Sequence, residues 1–272
     1  MGSSRFAALP AASLLRAAGH DAVAERASAA ELTPPADDVI AVCVSAGGKT
    51  AETVAAAHRH AGRSRVLAVT NAPLSPLANV ADVVLPLEVG EERGGVACRT
   101  YQASLAVLLL LAGRLLGRPV RPELDESVRA LASLLDSREL WLDRALDVLG
   151  GAIATIAPEE RLCSAEQAAL LFREGPRIPA HACETGDWPH VDVYLTRRPG
   201  YRALLFAGSR FNRVVVEWLT RRGSAFVAVG AAVEGAALTV AHDARGLAAT
   251  LVETTVAELL AAELWRRALT NA

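Results

Sequence analysis

The stretch Val39-Ile40-Ala41-Val42-Cys43-Val44-Ser45-Ala46-Gly47-Gly48-Lys49-Thr50-Ala51-Glu52-Thr53 decides the fold. An apolar run rich in β-branched residues gives way to a turn of small residues, and a helical pattern opens directly behind it. A strand that turns straight into a helix gathers loop amides and the helix N-terminus at one point. First-turn N–H groups have no intrahelical partner and the helix dipole is positive there, so that point favours an anion. Ser45 and Thr50 add two hydroxyls to it. The spacing therefore predicts a phosphate site at a strand-to-helix turn, with glycine packing alone as the competing explanation for the turn.

Working outward, the first half reads as helix (6–18), strand (39–44), helix (51–61), strand (65–70), short helical turn (76–81), strand (82–87) and long helix (100–116), closed by Gly117 and Pro119. Strands alternating with helices imply a parallel sheet covered on both faces. Pro119 to Pro122 marks a break, followed by two helical segments, 123–135 and 138–149. The second half then reads as a weak strand (152–156), a helix (165–174), a strand (201–206), the turn Ala207-Gly208-Ser209, a helix (212–221), strands 225–229 and 238–241, and a final amphipathic helix (247–268). Strand, small-residue turn, helix, glycine, strand thus occurs twice, which suggests an internal duplication. The expected organisation is a first domain over 1–122 and a second over 123–272, with ligands at the carboxyl ends of the strands.

At 272 residues, half of them apolar, the chain supports a large core. A formal net charge of −2 with interspersed signs gives no basic footprint for nucleic acid. The apolar run 105–111 is too short to span a bilayer, and no leader peptide is visible. Cys43, Cys98, Cys163 and Cys183 form no C-x-x-C pair and no disulfide framework, which points to a cytoplasmic setting. His181, Cys183, Glu184, Asp187 and His190 make a ligand-rich segment, but Gly186 and Pro189 break its spacing and no familiar metal motif results. Trp141, Trp218 and Trp265 sit in helical patterns and read as packing residues.

Several of these motifs together resemble the SIS (sugar isomerase) family, and within it the tandem-domain isomerase modules of glucosamine-6-phosphate synthases. Gly2-Ser3-Ser4 resembles the family's G-[ST]-S turn, Ser45 to Thr50 its S-Q-S-G-E-T loop, and Leu67-Ala68-Val69-Thr70-Asn71 its strand ending in T-N. Glu92-Arg93-Gly94-Gly95-Val96-Ala97-Cys98-Arg99-Thr100-Tyr101 resembles the stretch E-x-G-V-A-S-T-K-A-F, and Glu174 precedes His190 by the sixteen positions that separate the family's catalytic Glu and His. The resemblance covers almost the whole chain. It implies an α/β fold of two tandem SIS domains, each a flavodoxin-like three-layer sandwich. It implies a phosphosugar site built by Ser3, Ser4, Ser45, Ala46, Gly47, Thr50 and Ala97. It also implies a homodimer with shared active sites, because the corresponding His reaches the neighbouring subunit. No cofactor, metal, nucleic acid or membrane is implied.

The departures from the pattern are specific. Ala46 and Gly47 replace two side-chain donors of the phosphate loop, and Lys49 replaces an acid. Backbone amides still suit a phosphate, and Lys49 supplies charge. Leu171 stands where the synthase has a lysine three residues before its catalytic Glu, and Ala157-Pro158-Glu159 replaces a G-R-G turn. The expectation is a module without a preceding glutaminase domain. Met1 falls where the family's first strand ends, so the expectation is that the natural chain starts upstream or that another segment fills that place in the sheet.

Sugar-phosphate isomerisation needs a base that moves a proton between C1 and C2 and a donor that assists ring opening. Glu174 suits the base, beside Leu171, Phe172 and Ile178, and His190 suits the donor. Taken without the resemblance, Glu174 reads first as a polar residue at a helix end before Gly175-Pro176, and His190 as a loop histidine. Two functions follow: an aldose–ketose isomerase or aminosugar-phosphate isomerase/deaminase acting on a hexose 6-phosphate derivative, or a non-catalytic sugar-phosphate sensor or partner subunit.

Overall fold

The computed structural model describes residues 1–270 and divides between Val120 and Arg121 into two compact units. In the first unit the order is α1 (Ser3–Ala17), β1 (Ile40–Val44), α2 (Ala51–His60), β2 (Arg65–Thr70), α3 (Pro76–Val80), β3 (Val83–Pro86) and α4 (Arg99–Leu115). The three strands pair in parallel in the order β1-β2-β3, with Val42 opposite Leu67 and Val69 opposite Leu85. Period-two alternation sends Ala41 and Cys43 to one face, where Ala57 of α2 and Leu77 of α3 complete a core with Val66 and Ala68. The opposite face is covered by α4, against which α1 packs. Ser75 caps α3 by accepting the Ala78 amide, with Pro76 at the first helical position, where its missing N–H costs nothing.

The second unit runs α5 (Arg121–Asp136), α6 (Arg138–Val148), β4 (Ile153–Ala157), α7 (Leu162–Glu174), β5 (Ala180–Glu184), α8 (Trp188–Val191), β6 (Arg202–Phe206), α9 (Asn212–Arg221), β7 (Ala225–Gly230), β8 (Leu238–Ala241) and α10 (Gly246–Thr270). All five strands are parallel, in the order β5-β4-β6-β7-β8. One face packs Ile156, Leu205 and Phe226 against Trp188, Val215 and Leu219, and α7 and α10 cover the other. Thr155 is fully buried in β4, its hydroxyl 2.8 Å from the Ala165 carbonyl and 3.0 Å from that of His181. That bond lets a polar residue stand in the middle of the sheet.

Strands and helices thus stand largely where hydrophobic periodicity put them, and the differences have physical reasons. Residues 2–4, expected as a turn leaving a strand, are the N-cap and first turn of α1. Among the described residues no segment pairs with the outer edge of β1, so the place expected to be filled there is not filled by residues 18–39. The strand expected to be weak, β4, is buried at every position. Its alanines and threonine dilute the β signal, and burial from both faces compensates. Helix α7 begins three residues early, behind a 3-10 turn at Glu159–Arg161. Within the ligand-rich segment, Ala180–Glu184 is edge strand β5, an element the sequence reading did not place. The two glutamates of that turn and the mixed polarity of β5 hide both elements from pattern reading.

Candidate functional site

At the carboxyl end of β1 the chain turns through Ser45, Ala46, Gly47 and Gly48 into α2. The turn is tied down from below. The Ala46 carbonyl accepts from the Asn71 amide at 2.9 Å and from the Thr70 hydroxyl at 3.1 Å, and the Gly48 carbonyl accepts from the Leu77 amide at 3.0 Å. Gly48 has φ +61°, and a Cβ there would overlap the Ser75 side chain, so both backbone shape and packing demand glycine. Gly47 is the opposite case: an added Cβ would meet nothing within 4 Å.

Upward, the loop is open. Among the described residues, no backbone acceptor takes the amides of Ala46, Gly47, Lys49 and Thr50, nor those of Ala51, Glu52 and Thr53 in the first turn of α2. Ser45 and Thr50 hydrogen-bond each other through their hydroxyls at 3.1 Å. Thr53 is 4 % exposed and its hydroxyl has no partner. A strand end, a helix N-terminus and the hydroxyls of Ser45 and Thr50 therefore converge around unspent amides, an arrangement that suits an anion of phosphate size.

The neighbouring loops frame this edge. Asn71 donates to the Gly90 carbonyl at 2.6 Å and accepts from the Val89 amide at 3.2 Å, drawing residues 88–90 to the end of β2. Beyond them Ala97 leads into α4. The first turn of α4 already holds an anion of its own: Glu92 accepts from the Thr100 hydroxyl at 2.6 Å and from the Thr100 and Arg99 amides at 3.0 and 3.2 Å. Burial pushes the Glu92 carboxyl up, but these bonds outweigh it and hold the group below the usual carboxylate value. The amino group of Met1 is near enough to Glu52 for their charges to interact, which brings Ser3 and Ser4 of α1 to the same end of the sheet. Thr70, Asn71, Thr53 and Glu92 escaped sequence reasoning as functional positions. The T-N pair closing β2 was the available signal for two of them.

In the second unit Glu174 is the last residue of α7 and is largely exposed; the partial burial of its carboxyl raises its pKa, opposed by Arg173. His190 lies in α8, beyond the carboxyl end of β5. The fully buried Trp188, whose indole N–H donates to the Tyr201 hydroxyl at 2.9 Å, anchors this short helix and leaves His190 exposed. Helix α7 returns antiparallel to its strands over 13 residues, about 18 Å. Glu174 therefore lies toward the amino end of β5 and His190 beyond its carboxyl end. His190 lines a cleft of about 670 Å³ with Glu184, Asp187, Phe211 and Trp218. Cys183 is buried, and burial first, then the Asp192, Asp187 and Glu184 carboxylates, push its thiol up to about 12, which disfavours the thiolate.

The order of the second sheet reverses between β4 and β6, where a doubly wound fold places its ligand crevice. Here Arg161 enters that crevice. Its guanidinium is 13 % exposed, pairs with the fully buried Glu253 of α10 and donates to the Ala207 carbonyl at the end of β6. Gly208, at φ +122°, gives it room, since a Cβ there would lie 2.5 Å from the guanidinium. His242 follows β8 beside this charge, and burial, then Arg161, push its pKa down.

Comparison with known proteins agrees with this architecture. Residues 1–114 match the family model of the SIS domain. The chain is 27 % identical over 186 residues to a glutamine–fructose-6-phosphate aminotransferase (isomerizing) of Chlamydia trachomatis, covering 64 % of this chain and 30 % of that one. To the Aeropyrum pernix protein of the same name it is 31 % identical over 205 residues, 70 % of this chain and 33 % of the relative. It spans about a third of the length of these curated relatives. In fold it is similar to the C-terminal domain of glucosamine-fructose-6-phosphate aminotransferase from Francisella tularensis (TM-score 0.83, 17 % identity, 98 % of this chain and 82 % of that one). It is also similar to glucosamine-6-phosphate deaminase from Thermotoga maritima (TM-score 0.75, 19 % identity, 98 % and 83 %). The class is thus an α/β protein with parallel sheets flanked by helices. More particularly, the part that matches the SIS-domain model, residues 1–114, lies in the first unit. Among the described residues no helix is long and apolar enough to cross a membrane.

Proposed function

We propose that this chain is a tandem-SIS protein that binds a phosphosugar and isomerises it. The substrate class is a hexose 6-phosphate or its 2-amino derivative, as the names of the aminotransferase and deaminase relatives suggest. The observation that carries the reading is the loop 45–50, with its unengaged amides, the paired hydroxyls of Ser45 and Thr50, and the buried, unpartnered Thr53 hydroxyl beneath. Ser45, Ala46, Gly47 and Thr50 hold the phosphate, mainly through backbone. Ser3, Ser4 and Ala97 border it. Glu174 moves the proton between C1 and C2, and its raised pKa makes it a better base than an ordinary carboxylate. His190 assists ring opening. Because one unit separates Glu174 from His190 by about the length of α7, the reading requires a homodimer whose sites combine residues of both copies. The second unit is then the second SIS domain, and the proposed setting is the cytoplasm.

A binder without turnover is the second reading. The observation favouring it is Leu171, 1 % exposed and committed to the core where the resembling synthases carry a lysine. Thermal shift against hexose 6-phosphates, their 2-amino derivatives and the unphosphorylated sugars tests the site, because a ligand of the folded state raises Tm. Glu174→Gln then separates the readings. Turnover abolished with binding kept supports the isomerase, turnover by neither protein supports the binder, and no phosphosugar binding at all refutes both.

A further inference from the structure

Lys49 stands immediately before the N-terminus of α2 and is exposed. Glu52 lies three residues further along the same turn, yet Lys49 forms no ion pair or hydrogen bond with it or with any other described residue. Next to it, Ala46 ends at its Cβ and the space above Gly47 is open for 4 Å. The amides of the loop are already enough for one phosphate, since four loop N–H groups and those of a helix turn face it without partners. An exposed ammonium on a four-carbon stem, beside a glycine whose surroundings are open, is surplus to that need. We infer that Lys49 and the space over Gly47 receive a second anionic group, so that this site selects phosphosugars bearing a further carboxylate or phosphate over simple phosphomonoesters.

This specificity rests on the phosphosugar reading of loop 45–50. Isothermal titration at fixed, moderate ionic strength compares a hexose 6-phosphate, the corresponding hexose bisphosphate and the corresponding 6-phospho-aldonic acid. One charge-assisted hydrogen bond predicts that at least one doubly anionic ligand binds about tenfold or more tightly than the monoester. Lys49→Gln brings that ligand down to the monoester's affinity. Lys49→Met, which keeps an apolar stem and removes the charge, does the same. The bisphosphate and aldonate arms distinguish which anion is selected. Equal affinities for all three ligands, or a preference that survives both substitutions, overturns the inference and leaves the phosphosugar site standing. Binding of none of the three overturns the underlying reading as well.

Discussion

Replacing Gly48 by alanine is expected to break the loop in two separable ways. At φ +61° an L-residue carries a left-handed penalty of about 1–2 kcal/mol. The new Cβ also overlaps the Ser75 side chain and presses on the Thr70 hydroxyl at 3.2 Å, an overpacking cost of about 1–3 kcal/mol. The total, about 2–5 kcal/mol, is a large share of the stability of a domain of this size. All four tryptophans, Trp141, Trp188, Trp218 and Trp265, lie in the second unit, so their fluorescence does not watch this event. Amide hydrogen exchange read by mass spectrometry over residues 45–60 does, and faster exchange there reports the lost free energy of opening. Ser75→Gly removes the obstacle for a few tenths of a kcal/mol, the cost of exchanging a serine cap for glycine. In that background Gly48→Ala retains only the backbone penalty. Gly47→Ala, with nothing within 4 Å, is the silent control. Exchange in Gly48→Ala indistinguishable from wild type, or no recovery with Ser75→Gly, would refute the steric account of the loop.

Two further outcomes follow from buried or half-buried charges. Arg161→Ala leaves the Glu253 carboxylate, 0 % exposed, without its cation, at an expected cost of about 3–5 kcal/mol; Arg161→Met with Glu253→Leu recovers most of it. Urea unfolding followed by tryptophan fluorescence decides, and a single substitution costing under about 1 kcal/mol contradicts the ion pair's role. Glu92 titrates below its unfolded value, so its contribution to stability is present above the ordinary carboxylate range and fades as pH falls through its lowered folded pKa. Glu92→Gln is expected to be less stable by about 1 kcal/mol at neutral pH, with the difference shrinking in acid; a difference that grows in acid would reverse the sign of the argument.

What could be read from sequence followed the strength of each local signal. Strands β1, β2 and β7 and helices α2, α4 and α9 announce themselves through β-branched runs or spaced apolar residues, and the strand-to-helix turn at Ser45 was visible from spacing alone. Strand β5 was not, because Ala180, His181 and Glu184 carry no alternation an edge strand would show. The role of Glu92 depends on a loop folding back by eight residues onto Thr100, and that of Arg161 on Glu253, 92 residues away. No periodicity encodes such meetings. The spacing of Glu174 and His190 is legible in sequence, yet strand β5 runs between them and carries the chain from one end of the strands to the other.

The crevice between β4 and β6 has its own occupant. A guanidinium tethered to the adjoining turn, and held by Ala207 and Glu253, fills the place where such sheets ordinarily receive a visitor. A tethered group competes at an effective concentration set by its short connection, in the millimolar range or above, and it never diffuses away. A free anion seeking the same place must displace a partner that is always present and already paired with its counter-charge. The two sheets thus differ at their carboxyl edges: one presents amides that no backbone acceptor takes, and at the switch point of the other a charged side chain of the same chain is already seated.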